Sequence, residues 1–292
     1  MPVLCLIANP VDSELDPALA AAVLKETGGE LNWLDHSIAC EIIEPKSTDA
    51  LTMDLARSVI GTRRVDAALV PTENRRKPVL VADMDSTMIN EECIDELAAA
   101  LGIKEQVADI TDRAMRGELD FGQALDTRVA LLKGLERKVI EEVRREQITL
   151  APGGRALIQT MKAYGAYTAL VSGGFTFFAE YFAKRIGFDE AVANVLEFEG
   201  DRLTGSVTKP IVDKNTKRER LTALAAERNL PLSQTIAVGD GANDLDMIRI
   251  AGFGVALHAK PAVAAEAGIR IDHGDLTALL YLQGYTDEDI VR

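Results

Sequence analysis

The chain has 292 residues, 47% of them hydrophobic and 27% charged, an ordinary globular composition with enough apolar material for one large domain and a smaller one. A formal net charge of −14 argues against broad binding to nucleic acid or anionic membranes. No apolar run approaches the roughly 20 residues a membrane helix needs.

The first stretch, MPVLCLIANPVDSE, has no basic leader region, and Asn9 and Pro10 cut its apolar run short, so it does not read as a signal peptide. Cys5, Cys40 and Cys93 are widely spaced and match no zinc pattern; buried or semi-buried thiols in a reducing cytoplasm are expected. VLCLIA predicts a strand, PALAAAVLKETG a helix, ELNWL and ACEIIEP strands, TDALTMDLARSVIG a helix and VDAALVP a strand. This βαββαβ order predicts a small α+β domain over residues 1–74, joined by the polar TENRRKP linker to a second domain over 75–292.

The second domain begins with the apolar strand VLVA, which runs into Asp83, Met84, Asp85, Ser86 and Thr87. From Glu91 to Glu146 the apolar spacing is helical throughout, as at Ile94, Leu97, Ala98 and Leu101, and glycines punctuate it. A helical cap inserted at about 91–148, positioned to act as a lid, is the expectation. After Gly153 helix and strand signals alternate: GGRALIQTMKAY, then TALVSGG, then FTFFAEYFAKRI. A hairpin turning at Gly200 and Asp201 follows, then KNTKRERLTALAAERN, TIAVGD, NDLDMIRIAG, FGVAL, PAVAAEAG and IRID. Such alternation predicts an α/β, mostly parallel sheet covered on both faces, with its active site at the carboxyl ends of the strands.

Four elements fall at those strand ends or helix starts: Asp83 and Asp85; Ser172 and Gly173; Lys217; and Asp240, Asn243 and Asp244. Together they form a set suited to phosphoryl transfer. One carboxylate can attack phosphorus, and a second can protonate the leaving oxygen and later deprotonate water. Acidic oxygens can hold Mg²⁺. A lysine, a hydroxyl and glycine-freed N–H groups can hold phosphate oxygens. Each feature alone has a blander reading: an aspartate after a strand is more often a turn or cap residue, and Lys217 alone is a solvated helix charge. The ordered series DxDST, SGG, K, GDGxND outweighs those readings.

That series resembles the haloacid dehalogenase-like hydrolase superfamily. DMDSTMINEECIDELA, RAMRGELDFGQALDTRVALLKGL, VSGGF and AVGDGANDLDMI are, within it, similar to the phosphoserine phosphatase family. The resemblance spans about Val79 to Leu282 and implies a Rossmann-like sheet with a helical cap. It implies a Mg²⁺-dependent hydrolysis of O-phospho-L-serine through a phosphoaspartyl intermediate, the last step of serine biosynthesis. By the same resemblance Asp83 matches the nucleophile and Asp85 the general acid/base. Asp83, Asp85 (through its carbonyl) and Asp240 match metal ligands, with Asp244 supporting them from behind. Ser172, Gly173 and Lys217 match phosphate-binding positions and Asn243 a substrate contact. Glu92, Met115, Phe121 and Arg128 match the substrate pocket. The first domain looks ACT-like by element order, which implies an amino-acid-binding or dimerising module and a homodimer through it. A related phosphatase or phosphotransferase for another small phosphorylated amino acid or alcohol is the alternative. A regulatory protein with a vestigial phosphatase domain is the rival of another class, and the intact acids and Lys217 count against it.

Overall fold

The computed structural model describes residues 2–46, 49–115 and 118–292, with side chains described at all of these except positions 49, 112, 114 and 115. The chain opens with β1 (Pro2–Ala8), α1 (Pro17–Thr27), β2 (Glu30–Asp35), β3 (Ala39–Ile43), α2 (Asp49–Ile60) and β4 (Val65–Pro71), the order the sequence predicts. The strands form an antiparallel sheet ordered β2-β3-β1-β4. Alternation along β1 gives the sheet two apolar faces. Leu4, Leu6 and Ala8 pack with Leu19 and Val23 of α1 and with Ala56 and Ile60 of α2. Val3, Cys5 and Ile7 face the other way and join the core of the larger unit.

That larger unit continues with β5 (Val79–Ala82), α3 (Cys93–Ala100), α4 (Lys104–Met115), α5 (Phe121–Leu131), α6 (Arg137–Glu146), α7 (Gly154–Ala163) and β6 (Tyr167–Phe175). Next come α8 (Thr176–Ile186), β7 (Glu190–Asn194), the hairpin β8 (Leu196–Glu199) and β9 (Arg202–Val207), and α9 (Lys214–Glu227). The chain then forms β10 (Thr235–Gly239), α10 (Leu245–Ile250), β11 (Phe253–Leu257), α11 (Pro261–Glu266), β12 (Ile269–Ile271) and α12 (Ala278–Leu282). The sheet order is β12-β11-β10-β5-β6-β7 and every pairing is parallel. From β5 the chain winds first towards β7, then returns to wind from β10 towards β12. The reversal between β5 and β10 opens a crevice at their carboxyl ends, where such sheets bind ligands.

Two elements lie outside the sequence reading. β7 is an edge strand whose first three residues are only half-buried, so GFDEAVAN shows no clean alternation. α12 is buried along its whole length, and a short, wholly apolar run carries no helical stripe. α10 also starts later than predicted: Asn243 and Asp244 belong to the turn before it.

The cap helices α3 to α6 stand over the strand ends, and the β8–β9 hairpin props up α5. Gly205, at φ +88°, sits so close to that helix that a Cβ there would meet Lys133 Cβ at 3.0 Å and Ala130 Cα at 3.3 Å. Lys209 pairs with Asp126 of α5 at 2.8 Å.

The TENRRKP segment is polar but firmly anchored. Arg75 pairs with Glu41 Oε2 at 2.7 Å and donates to the carbonyls of Leu282 (3.0 Å) and Tyr281 (3.3 Å). Lys77 donates to the carbonyls of Asn74 and Ser233, both at 2.8 Å. Charged residues stay buried when their donors are met in this way. On the other side of the seam, Asp66 accepts the N–H groups of Asp272 (2.9 Å), His273 (3.1 Å) and Gly274 (2.8 Å).

Candidate active site

β5 is buried along all four residues, and its pairing with β10 continues one residue further, through the Asp83 N–H to the Val238 carbonyl at 3.0 Å. This fixes Asp83 at the edge of the crevice. Beyond it the backbone folds tightly: the N–H groups of Met88 (2.9 Å) and Ile89 (3.1 Å) both donate to Met84 O. Ser86 takes a left-handed φ of 54°, unusual for a residue with a Cβ, and its hydroxyl donates to Glu92 at 2.9 Å. Thr87 donates to Asp240 at 3.3 Å. The two hydroxyls of DMDST therefore support carboxylates of the site, in keeping with a turn-supporting role.

Asp83 and Asp85 occupy different surroundings. Asp83 Oδ1 receives the Met84 N–H at 2.7 Å and the Lys217 ammonium at 2.7 Å. Asp85 Oδ1 receives the Cys93 N–H at 2.8 Å, and its Oδ2 receives the Ser172 hydroxyl at 3.2 Å. Burial, together with the like charges of Glu92 and Asp83, pushes Asp85 up to about 7 against the restraining Cys93 N–H. Gly174 is required beside it, since a Cβ there would lie 2.7 Å from Asp85 Oδ2.

Lys217 is wholly buried and bridges Asp83 to Asp244, the latter at 2.6 Å. α9 delivers it from a first turn held by a capping box between Asp213 and Thr216. Asp244 also accepts the Gly241 N–H at 3.0 Å. Carboxylate oxygens of Asp83, Asp240 and Asp244 lie within 4.8 Å of one another, all three residues buried. Three carboxylates against one ammonium leave the cluster with excess negative charge. Burial and then the Asp83 charge push Asp240 up to about 7. A hard divalent cation with oxygen ligands fits this donor set. Asp244, which the resemblance put behind the metal, contributes an oxygen to the cluster itself.

The cap supplies the far wall. Phe121 and Arg128 both lie on α5, as the sequence predicts, two turns apart on nearly the same face. The Phe121 ring lies over Gly173, its Cζ 3.1 Å from where a Cβ would project. Arg128 is anchored by Ala124 O at 3.2 Å and Thr111 Oγ1 at 3.4 Å. Burial draws it below the usual arginine range, opposed by the carboxylates of Glu92, Asp95 and Asp85. Asn243 folds back over Gly241 beside the cluster. Met115 ends α4, and its side chain lies outside the described residues. Thus Asp83, Asp85, Glu92, Phe121, Arg128, Ser172, Gly173, Lys217, Asp240, Asn243 and Asp244 converge on one crevice. Cys93 and Gly174 act there through backbone N–H groups, which no side-chain pattern announces.

A parallel sheet reversing beside an aspartate pair, a buried lysine and an acidic cluster, under a helical cap, defines a class of hydrolase, and the family description "haloacid dehalogenase-like hydrolase" matches residues 80–249. The chain belongs to that family. Among its relatives, a phosphoserine phosphatase of Streptomyces coelicolor is 40% identical, the match covering 98% of this chain and 71% of the relative. A solved structure of a probable phosphoserine phosphatase from Vibrio cholerae, unliganded, superposes with a TM-score of 0.77 at 31% identity, over 99% of this chain and 88% of the other. A phospho-aspartyl intermediate analogue of phosphoserine phosphatase matches with a TM-score of 0.66 at 39% identity, over 70% of this chain and 98% of the other.

Proposed function

We propose that this chain is a Mg²⁺-dependent phosphomonoesterase that hydrolyses O-phospho-L-serine to L-serine and phosphate. The observation that carries the reading is the division of labour at the end of β5: Asp83 is held by an ammonium, Asp85 by a hydroxyl and an N–H. The Asp83 carboxylate attacks phosphorus as the bond from phosphorus to the serine oxygen breaks. Asp85, in its acid form, gives its proton to that departing oxygen. Asp85 then takes a proton from water, whose oxygen attacks the aspartyl phosphate, releasing phosphate and restoring both carboxyl groups. Lys217, Ser172 and the Gly173 N–H hold the phosphate oxygens through these steps.

Asp83, Asp240 and Asp244 would hold the Mg²⁺, with the Asp85 carbonyl as a further ligand. When bound, the ion offsets phosphate charge that would otherwise repel an attacking carboxylate. Within the pocket, Arg128 meets the substrate carboxylate and Glu92 its ammonium, while Phe121, Met115 and Asn243 complete the enclosure. The first sheet, with both of its helices on one face, supports an ACT-like unit pairing two chains in a homodimer, and the three buried thiols suit a cytoplasmic enzyme. Phosphate release from a panel of small phosphoesters, with and without chelator, tests the reading. Phosphoserine should be the preferred substrate, and an enzyme cleaving every ester equally would refute the assignment.

A further inference from the structure

Asn194, at the end of edge strand β7, contacts neither an acid nor the lysine of the site, yet it is 98% shielded from solvent (2% exposed). Its position is set by an irregularity in the sheet. Val171 of β6 pairs with Val192, but the next partner of β7 is Phe175, paired with Asn194. Ser172, Gly173 and Gly174 therefore stand opposite a single residue of β7, and this bulge removes them from the regular ladder. A ladder interrupted in this way leaves backbone groups to be satisfied by something else.

The Asn194 side chain does this on two sides. Its Nδ2 donates to Gly173 O at 2.8 Å and, more weakly, to Val212 O at 3.4 Å, and its Oδ1 accepts the Val212 N–H at 2.8 Å. Only one amide orientation is compatible with this, because Gly173 O can only accept and Val212 N can only donate. The peptide group whose oxygen Asn194 holds has the Gly174 N–H at its other end. That N–H donates to Ser172 Oγ at 2.8 Å, and the Ser172 hydroxyl donates onward to Asp85 Oδ2 at 3.2 Å. Val212 directly precedes Asp213, the N-cap of the helix that delivers Lys217.

We infer that Asn194 is a positioning residue for phosphoryl transfer: it fixes the Gly173–Gly174 peptide, and through it the Ser172 hydroxyl, and ties that peptide to the start of α9. The phosphate-holding groups from β6 and α9 thereby keep a fixed spacing. The inference rests on the proposed function only in taking Ser172, Gly173 and Lys217 as phosphate-holding groups; it requires no particular alcohol on the phosphate.

The test therefore uses p-nitrophenyl phosphate as substrate, with inorganic phosphate and L-serine as competing ligands. In Asn194→Leu, which removes donor and acceptor together, kcat should fall on the order of 10- to 100-fold, the scale of a small misplacement of reacting groups. Inhibition by phosphate should weaken by a similar factor, and inhibition by L-serine, which does not use this cradle, should stay within about twofold. Circular dichroism and thermal melting establish that the variant is folded. Should the leucine variant not fold, Asn194→Asp, which keeps the shape and the acceptor for Val212 but sets an oxygen against Gly173 O, carries the same expectation. A folded variant with unchanged kcat and phosphate inhibition overturns the inference. So does one in which phosphate and serine inhibition weaken together, the mark of general disorder. Failure of the wild-type enzyme to cleave phosphoserine while it cleaves p-nitrophenyl phosphate would overturn the substrate reading alone.

Discussion

Asp83 and Asp85 are separated by one residue and by their partners. The first lies against the Lys217 ammonium at 2.7 Å, while burial and like charge favour the proton on the second. Replacing Asp83 by Asn keeps the shape and removes the nucleophile, so turnover should fall on the order of 10⁴- to 10⁶-fold without loss of fold. Near-normal phosphate release from Asp83→Asn would contradict the mechanism. Arg128 makes a complementary case. Arg128→Ala should lower kcat/KM for phosphoserine by about 30-fold or more, the cost of leaving a carboxylate unpaired in a closed site. It should scarcely affect p-nitrophenyl phosphate, which has no carboxylate. Equal loss on both substrates would assign Arg128 to phosphate or fold. These residues were legible in the sequence because each sits in a short contiguous motif at a strand end or on a periodic helix. Asn194 was not, since its role depends on a bulge between two strands. Nor were Cys93 and Gly174, which act through backbone N–H groups.

Among the elements, the helical cap was readable from its 3.6-residue period, and α5 carries Phe121 and Arg128 on one face as that period requires. How the cap is supported was not readable, because the β8–β9 hairpin meets α5 through the absence of a side chain. At Gly205 both the positive φ and the 3.0 Å approach to Lys133 exclude a branched residue. Gly205→Val should destabilise the protein by about 1–3 kcal/mol and loosen the cap. Chemical denaturation measures the first effect, and a raised KM for phosphoserine with little change in kcat would report the second. Unchanged stability would mean that the hairpin gives way without cost. The edge strand β7 and the buried α12 escaped for opposite reasons: one is too weakly alternating and the other too uniformly apolar.

For the whole molecule, a net charge of −14 requires any counter-charge for an anionic substrate to be local; Lys217 lies against Asp83 and Asp244, and Arg128 faces the carboxylates of Glu92, Asp95 and Asp85. Chelation by EDTA should abolish turnover and added Mg²⁺ should restore it; full activity in chelator would remove the metal from the scheme. The seam between the two sheets was not legible, since a polar linker sequence gives no sign that Arg75 is clamped by Glu41 and two carbonyls. All acidic and basic groups of the site follow Val79, so deletion of residues 1–71 should leave kcat within a few-fold in whatever remains folded. Melting should occur well below that of the full chain, because Val3, Cys5, Ile7, Ala68 and Val70 share a core with Leu276 to Leu282. An inactive but stably folded truncation would show that the first sheet completes the site. The same shared core imposes an order on biosynthesis. The apolar face of the first sheet emerges from the ribosome some 200 residues before α12, its partner across the seam. At roughly 5–20 residues per second, that face spends on the order of 10–40 s without its cover. The newborn chain thus carries a sticky surface for most of its own translation, and the first sheet cannot dock against α12 until that helix has emerged.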